Sequence, residues 1–245
     1  MELEGKKAVI IGASRGIGRA IARAFAREGA SLVVTATKEE NLHSILEDVE
    51  KYNIKAFPIA WDIKNVSEAE SRTAECAELL GGIDICVCNA GVIDHARPLH
   101  ITEEQFDSVV DVNYKGSYFV CQAMANYMIA NGTGEVKGKI INMASETGFQ
   151  PSLMPYGSSK WAVVGYTMGL ARYVFKHGVV VSAIAPGPVT TDMMGWTPGK
   201  SNEFPSAFGR MADPDEVADL AVFLASKKGN RMAGRPVFIN GGLNW

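Results

Sequence analysis

The stretch Ile11-Gly12-Ala13-Ser14-Arg15-Gly16-Ile17-Gly18 decides the fold. It follows a short apolar run, Lys7 to Ile11, and opens an amphipathic stretch, Gly16 to Glu28. Three glycines at a strand-to-helix turn let the backbone approach a ligand closely. The helix that follows offers unpaired N–H groups and the positive end of its dipole to a phosphate. The spacing is G-x-x-x-G-x-G rather than the commoner G-x-G-x-x-G, so position carries the reading: this turn ends the first strand and starts the first helix.

Outward from that turn, apolar runs alternate with longer amphipathic stretches. Strands are predicted at Lys7–Ile11, Ser31–Ala36, Lys55–Ala60, Ile83–Cys88, Lys139–Met143, Val179–Ile184 and Pro236–Ile239. Helices are predicted over 16–28, 39–51, 67–80, 103–131, 155–176 and 214–225. Buried strands joined by helices imply an α/β fold with a parallel sheet covered on both faces. Right-handed crossovers then give a doubly wound, Rossmann-like architecture of about seven strands in one domain, residues 1–245. The longest irregular stretch, about 190–213, is rich in Met, Trp, Pro, Phe and Gly and is expected to act as a substrate lid.

Composition narrows the classes of function. The chain has 245 residues, 47% hydrophobic and 21% charged, with a formal net charge of −3. That balance disfavours nonspecific binding to nucleic acid or to an anionic membrane surface. No run of 18 apolar residues suggests a membrane span, and the N-terminus does not read as a signal peptide. Cys76, Cys86, Cys88 and Cys121 form no C-x-x-C pair and are expected to be buried thiols in a reducing cytoplasm. His43, His95, His100 and His177 are scattered without metal-ligand spacing, so no metal is expected.

The second strand ends in Val34-Thr35-Ala36-Thr37-Lys38. The carboxylate that commonly holds an adenine ribose hydroxyl about 20 residues after the glycine turn is missing there. Arg15 and Lys38 are expected to pair with a 2′-phosphate instead, with Thr37 donating a hydrogen bond. NADP(H) is therefore the expected cofactor, with NAD(H) possible.

A second constellation lies in Tyr156-Gly157-Ser158-Ser159-Lys160, where Tyr156 and Lys160 share one helical face. An ammonium about 5 Å from a phenol favours the phenolate by roughly 3 kcal/mol at an effective dielectric of about 20. This would bring the tyrosine pKa from about 10 towards 8, a usable general acid/base. Upstream, Ser145 stands at the carboxyl end of the fifth strand, where such folds bind ligands.

Together these residues resemble the short-chain dehydrogenase/reductase family, in its compact branch that includes 3-oxoacyl-acyl-carrier-protein reductases. The resemblance runs along essentially the whole chain. Gly12, Gly16 and Gly18 match the family's cofactor glycines, with Ser14 and Ile17 between them. Asp62-Ile63 matches its adenine-contacting segment, and Asn89-Ala90-Gly91 its N-A-G motif. Asn113, Ser145, Tyr156 and Lys160 match the catalytic tetrad. Pro186-Gly187 with Val189 and Thr191 matches the segment that holds the nicotinamide carboxamide, and Asn240-Gly241-Gly242 matches the terminal N-G-G.

The resemblance implies a ketone–alcohol oxidoreductase on a small-molecule substrate. Tyr156 would exchange the proton, Lys160 would lower its pKa and bond the nicotinamide ribose, Ser145 would orient the substrate oxygen, and Asn113 would hold a water. It also implies a homotetramer, or a homodimer, built on the helices 103–131 and 155–176, with Phe119, Met124 and Trp161 as candidate interface residues. Alternatives are a 3-oxoacyl-acyl-carrier-protein or acyl-CoA reductase and a catalytically silent nucleotide sensor.

The sequence departs from the family pattern in four places. Ile11 replaces the usual Thr, Ser182 replaces a frequent Asn, and 131–137 reads as an insertion. Ser145 also precedes Tyr156 by only 11 positions, so the pocket wall over 149–155 should be unusual. Ile93, Asp94, His95, Phe149, Leu153, Met154, Met193, Met194, Trp196, Phe204 and Phe208 are the candidate pocket residues. Their apolar character suggests a bulky or apolar ketone.

Overall fold

The computed structural model describes residues 1–94 and 97–243. His95, a candidate pocket residue, lies outside the described residues. Seven strands form one parallel sheet: β1 (Lys7–Ile11), β2 (Ser31–Ala36), β3 (Ala56–Ala60), β4 (Ile85–Cys88), β5 (Gly138–Met143), β6 (Val179–Pro186) and β7 (Pro236–Ile239). Their order is β3-β2-β1-β4-β5-β6-β7, and every neighbouring pair is parallel. The doubly wound sheet expected from the alternation of runs is therefore present.

Side chains of a strand alternate between sheet faces, and each face here has its own apolar layer. Ala8, Ile10, Leu32 and Val34 face α1 (Gly16–Arg27), α2 (His43–Glu50) and, farther along the sheet, α7 (Pro214–Ala225). Val9, Ile11 and Val33 belong to the opposite layer, with α3 (Ala69–Leu80), α5 (Ser117–Asn131) and the end of α6 (Pro155–Val174). Burial on both faces explains why the central strands read as continuous apolar runs rather than alternating ones. All four cysteines are buried and free. Cys88 and Cys121 lie with their Sγ atoms 3.4 Å apart within the second layer.

The long helix expected over 103–131 is interrupted. α4 (Glu103–Val110), opened by a Thr102–Gln105 capping box, runs into a π-helical turn at Asp111–Gly116 before α5 begins. The wider turn tightens the packing on one side: a Cβ on Gly116 would come within 2.7 Å of the Ile63 carbonyl oxygen. Asn113 is carried inward at this turn, which is a common place for π-helical geometry to serve a site.

Met124 is fully buried against the sheet, so it belongs to the core and not to an intersubunit face. Phe119 is partly buried against the same layer, and only Trp161 of the three candidate interface residues is exposed. No helix among the described residues is long and apolar enough to cross a membrane.

Strand order reverses between β1 and β4, and their carboxyl ends define the crevice where such sheets bind ligands. The two ends are locked together. Asn89 Nδ2 donates to the Gly12 carbonyl at 2.7 Å, and Asn89 N–H donates to the Ile11 carbonyl at 3.2 Å. α1 closes over the same point, so that a Cβ on Gly18 would stand 2.1 Å from Gly12 O and 2.5 Å from Asn89 Nδ2. A Gly18→Ala variant must therefore part the helix from the turn. It should lose about 3 kcal/mol of unfolding free energy in urea, the upper end of an overpacking cost. An unchanged urea midpoint would contradict this packing.

Candidate active site

At the carboxyl end of β1, Gly12 adopts a positive φ of 79°, and a side chain there would meet the Ala90 backbone at 2.8 Å. Backbone from both strands thus forms the floor of a cavity of about 620 Å³. Its walls include Gly12, Ser14, Arg15, Gly16, Ile17, Thr37, Asp62, Ile63, Asn89, Ala90, Gly91 and Thr191, most of the cofactor residues expected from sequence. Gly18 lies behind this wall, under the turn. Val189, Pro186 and Gly187 stand beyond it. Gly187 is pressed against Asn240, and Val189 pairs with Ala212 in an isolated bridge.

The cavity suits a dinucleotide on its own geometry. Arg15 is the N-cap of α1 but makes no side-chain cap, and the first turn carries no acidic residue. The first N–H groups of α1 therefore face the cavity mouth without a competing side-chain acceptor, as a bound phosphate requires. Asp62 is shaped by its own turn, accepting from Lys64 N–H at 3.1 Å. Trp61, also on the wall, leaves its buried indole N–H without a partner among the described residues. Arg15 and Lys38 are largely exposed and make only long ion pairs, to Asp192 at 3.9 Å and to Glu40 at 3.9 Å. Such pairs are weak enough to yield to a phosphate.

The four tetrad candidates converge beyond Gly91. Asn113 is buried, and its side-chain amide is fully engaged. Its Oδ1 accepts from Val92 N–H at 2.8 Å, and its Nδ2 donates to Val92 O at 2.9 Å and Ser159 Oγ at 3.2 Å. Lys160 comes from the first turns of α6, which starts at Pro155. Its ammonium donates to Met143 O at 2.8 Å and would sit 3.7 Å from a Cβ on Gly91. Ser145, extended at the end of β5, caps the one-turn 3-10 helix Glu146–Phe149, its Oγ accepting from Thr147 N–H at 3.2 Å. The same hydroxyl favours the ionised form of Tyr156.

Electrostatics correct one expectation. The ammonium of Lys160 lies 5.6 Å from the Tyr156 ring centre, close to the distance expected of an i,i+4 pair. Yet the Tyr156 pKa is raised, not lowered. Burial of the phenol is the largest cause, the hydrogen bond from Ser145 opposes it, and the Glu146 carboxylate raises it further. Burial also brings Lys160 down to about 8. Desolvation is the largest cause for both groups.

Among the apolar candidates, Met193 lines the large cavity, whereas Phe204 and Phe208 line a smaller one of about 150 Å³ with Asn240. Phe149 packs on Phe238 with ring centres 4.6 Å apart, and Leu153 is exposed. Two residues of the site were not singled out from sequence. Asp192 is the partner of Arg15, visible only once 190–213 folds back. Glu146 is buried beside Ser145, and the signal available was a carboxylate directly after the strand-end serine.

Comparison with known proteins agrees with this geometry. Residues 6–200 match the family model for short chain dehydrogenases. The chain is 34% identical over 248 residues to the 3-oxoacyl-acyl-carrier-protein reductase of Thermotoga maritima, covering 99% of each chain. It is 35% identical over 261 residues to the galactitol 2-dehydrogenase of Agrobacterium fabrum, covering 100% of this chain and 99% of that one. A short chain dehydrogenase from Burkholderia cenocepacia, solved in complex with NADP, superposes with a TM-score of 0.91 at 30% identity over the full length of both chains.

The clasp of Asn113 on Val92 generates a test of the site's framework. Asn113→Ala removes both side-chain bonds to the part-buried backbone of Val92, and should cost about 2 kcal/mol in chemical denaturation, about 1 kcal/mol for each bond. A loss below about 0.5 kcal/mol, the level of an ordinary surface change, would show that the clasp does not hold the π-helical turn in place.

Proposed function

This chain belongs to the short chain dehydrogenase family and is an NAD(P)-dependent dehydrogenase/reductase, and we propose that it interconverts a ketone and a secondary alcohol with NADP(H) as the preferred cofactor. The observation that carries the reading is the convergence of Ser145, Tyr156 and Lys160 beside Gly91, at the end of a cavity with the shape and donors of a dinucleotide site. We read residues 1–245 as one dinucleotide-binding domain.

The nicotinamide, when bound, carries the hydride. The chain's own residues handle position and proton. Tyr156, whose ionised form Ser145 favours, donates its phenolic proton to the carbonyl oxygen during reduction and takes it back during oxidation. Ser145 holds the substrate oxygen against that phenol. Lys160, buried and fixed on Met143 O, is the positive charge that stabilises the phenolate once formed. Asn113 keeps Val92 and Gly91 in place, so its contribution is to the shape of the site.

Preference for NADP(H) rests on the end of β2, where Thr37 and Lys38 stand in place of a strand-end carboxylate, and on Arg15 in the cavity wall. The relative solved with NADP supports it. The stretch 190–213 is proposed as a lid over the substrate. Thr190 N–H donates to Ala212 O and Ala212 N–H to Pro188 O, both at 2.9 Å, so its two ends are pinned together. Met193, Met194 and Phe208 in between are exposed, which suits an apolar or bulky ketone. A 3-oxoacyl thioester is the second reading, favoured by full-length similarity to the Thermotoga maritima reductase.

Oxidation of NADPH and NADH followed at 340 nm against cyclic, steroid and sugar ketones and 3-oxoacyl thioesters tests both. Turnover should require Tyr156: the phenylalanine variant should lose 10²-fold or more in kcat, roughly the worth of a general acid, while still binding NADPH. Full activity in that variant would overturn the assignment. Removing both Arg15 and Lys38 side chains should lower the kcat/KM preference for NADPH over NADH by about tenfold or more, since charge-assisted bonds to phosphate are worth roughly 1.5–3 kcal/mol. An unchanged ratio would refute their role.

A further inference from the structure

One ion pair crosses the mouth of the large cavity, and the mechanism above does not use it. Arg15 stands on the glycine turn, and Asp192 opens the first turn of the stretch 190–213. Their side chains meet at 3.9 Å, Nη1 to Oδ2, and both residues line the cavity. The backbone on each side is fixed. A Cβ on Gly16 would stand 3.3 Å from Thr191 Cγ2, so the glycine turn and the start of that stretch are packed together. Met194 N–H and Trp196 N–H donate to Thr191 O at 3.0 and 3.2 Å, and Gly195 N–H donates to Asp192 O at 2.9 Å. These bonds hold the 3-10 turn Asp192–Met194 opposite Arg15. Among the described residues the Asp192 carboxylate has no other partner, and Arg15 makes no side-chain cap on α1.

We propose that Asp192 is a specificity-determining residue: it competes with the cofactor's 2′-phosphate for Arg15, and so limits the preference for NADP(H) over NAD(H). This rests on the reading of Arg15 as a partner of that phosphate.

Charge at the cavity wall is balanced. The ionisable residues that line it are Arg15, Lys64, Asp62 and Asp192. They fall into two pairs of opposite sign, Asp62 with Lys64 at 3.6 Å and Asp192 with Arg15 at 3.9 Å. Lys38, beyond the wall, is likewise faced by Glu40. The formal charges of the wall thus cancel where a phosphorylated ribose needs a surplus of positive charge. A phosphate monoester carries nearly two negative charges at neutral pH, and a guanidinium serves it best through two parallel hydrogen bonds. An Arg15 that already faces Asp192 offers less: part of its charge is balanced, and one Nη is turned away. When the phosphate arrives, either the pair parts or the phosphate settles near a like charge. Both weaken binding, and the cost falls mainly on the dinucleotide that carries the 2′-phosphate. The two side chains are 78% and 66% exposed, so water and salt keep that cost small. It tunes a preference without abolishing it.

Binding alone tests this. NADPH and NADH are titrated onto the full chain by nicotinamide fluorescence at low salt, with no carbonyl substrate present. Asp192→Asn should tighten NADPH by about three- to fivefold, the worth of one exposed ion pair, and NADH much less. Asp192→Glu, which keeps the charge, should stay near the wild type. The gain should fade in about 0.5 M salt, where such charges are screened. The decisive step is the double-mutant cycle. Arg15→Ala should cost NADPH more affinity in the Asp192→Asn background than in the wild type, by that same three- to fivefold factor. An unchanged NADPH affinity in Asp192→Asn, or an equal gain for NADH, overturns the proposal. An Arg15→Ala penalty that is real but equal in both backgrounds also overturns it, and leaves the role of Arg15 standing. No penalty in either background strikes the reading of Arg15 itself, and the proposal falls with it.

Discussion

The contact on which the rest depends is the one between the Gly12 turn and the end of β4, fixed by the Asn89 side chain on the Gly12 carbonyl. Two parallel strands that leave in opposite directions create a crevice at their carboxyl ends, but only close backbone approach gives that crevice a floor. Gly12 has the positive φ, and the missing side chain, that let the floor close on Ala90. Once it is closed, α1 starts in register to aim its free N–H groups at the cavity. Asn89-Ala90-Gly91 is delivered to the same place and leads directly to Val92, which Asn113 clasps. The nucleotide end and the reacting end of the site are consequently parts of one hydrogen-bonded backbone frame.

Burial, rather than pairwise attraction, dominates the charges at the reacting end. Tyr156 and Lys160 are both shifted towards their neutral forms. A sequence reading that counts only the spacing of the pair obtains the opposite sign for the phenol, since spacing reports the Coulomb attraction and says nothing of desolvation. The exposed ion pairs around the rim, by contrast, are screened by water and contribute little.

What was legible in the sequence follows from how local each signal is. The seven strands, the helix over 214–225, the glycine turn and the Tyr156–Lys160 face all depend on residues close in the chain, and they stand where periodicity and turn chemistry place them. Boundaries moved by a residue or two at frayed ends, as at α1, which stops at Arg27. The π-helical turn was not legible, because its cause lies in Ile63 and Val92, far from 111–116 in sequence. Met124 read as a possible interface residue since an apolar helix position does not say which side of the helix meets the sheet. The depth of Glu146 was hidden for a similar reason: it is set by Gly148 meeting α6 and by Asn240, almost a hundred residues downstream.

The proposed division of labour between rigid and adaptable parts explains why chemistry was easier to read than substrate. Ser145, Tyr156, Lys160 and Asn113 are carried by a strand end, a helix start and a helical turn; Lys160 and Asn113 are tied by hydrogen bonds to backbone of other segments, and Ser145 to the turn that follows it. A change of substrate leaves those ties untouched. The stretch 190–213 is held at its ends by the pairing of Val189 with Ala212 and by the ion pair of Arg210 with Glu216, and in between by Phe208 N–H on Gly241 O. Its interior keeps exposed Met and Phe side chains, flexible or apolar groups that adapt to many shapes. Relatives of similar identity named for an acyl-carrier-protein substrate and for a polyol fit such an arrangement. One frame can serve both chemistries if discrimination is left to that segment, and there a sequence constrains composition far more tightly than shape.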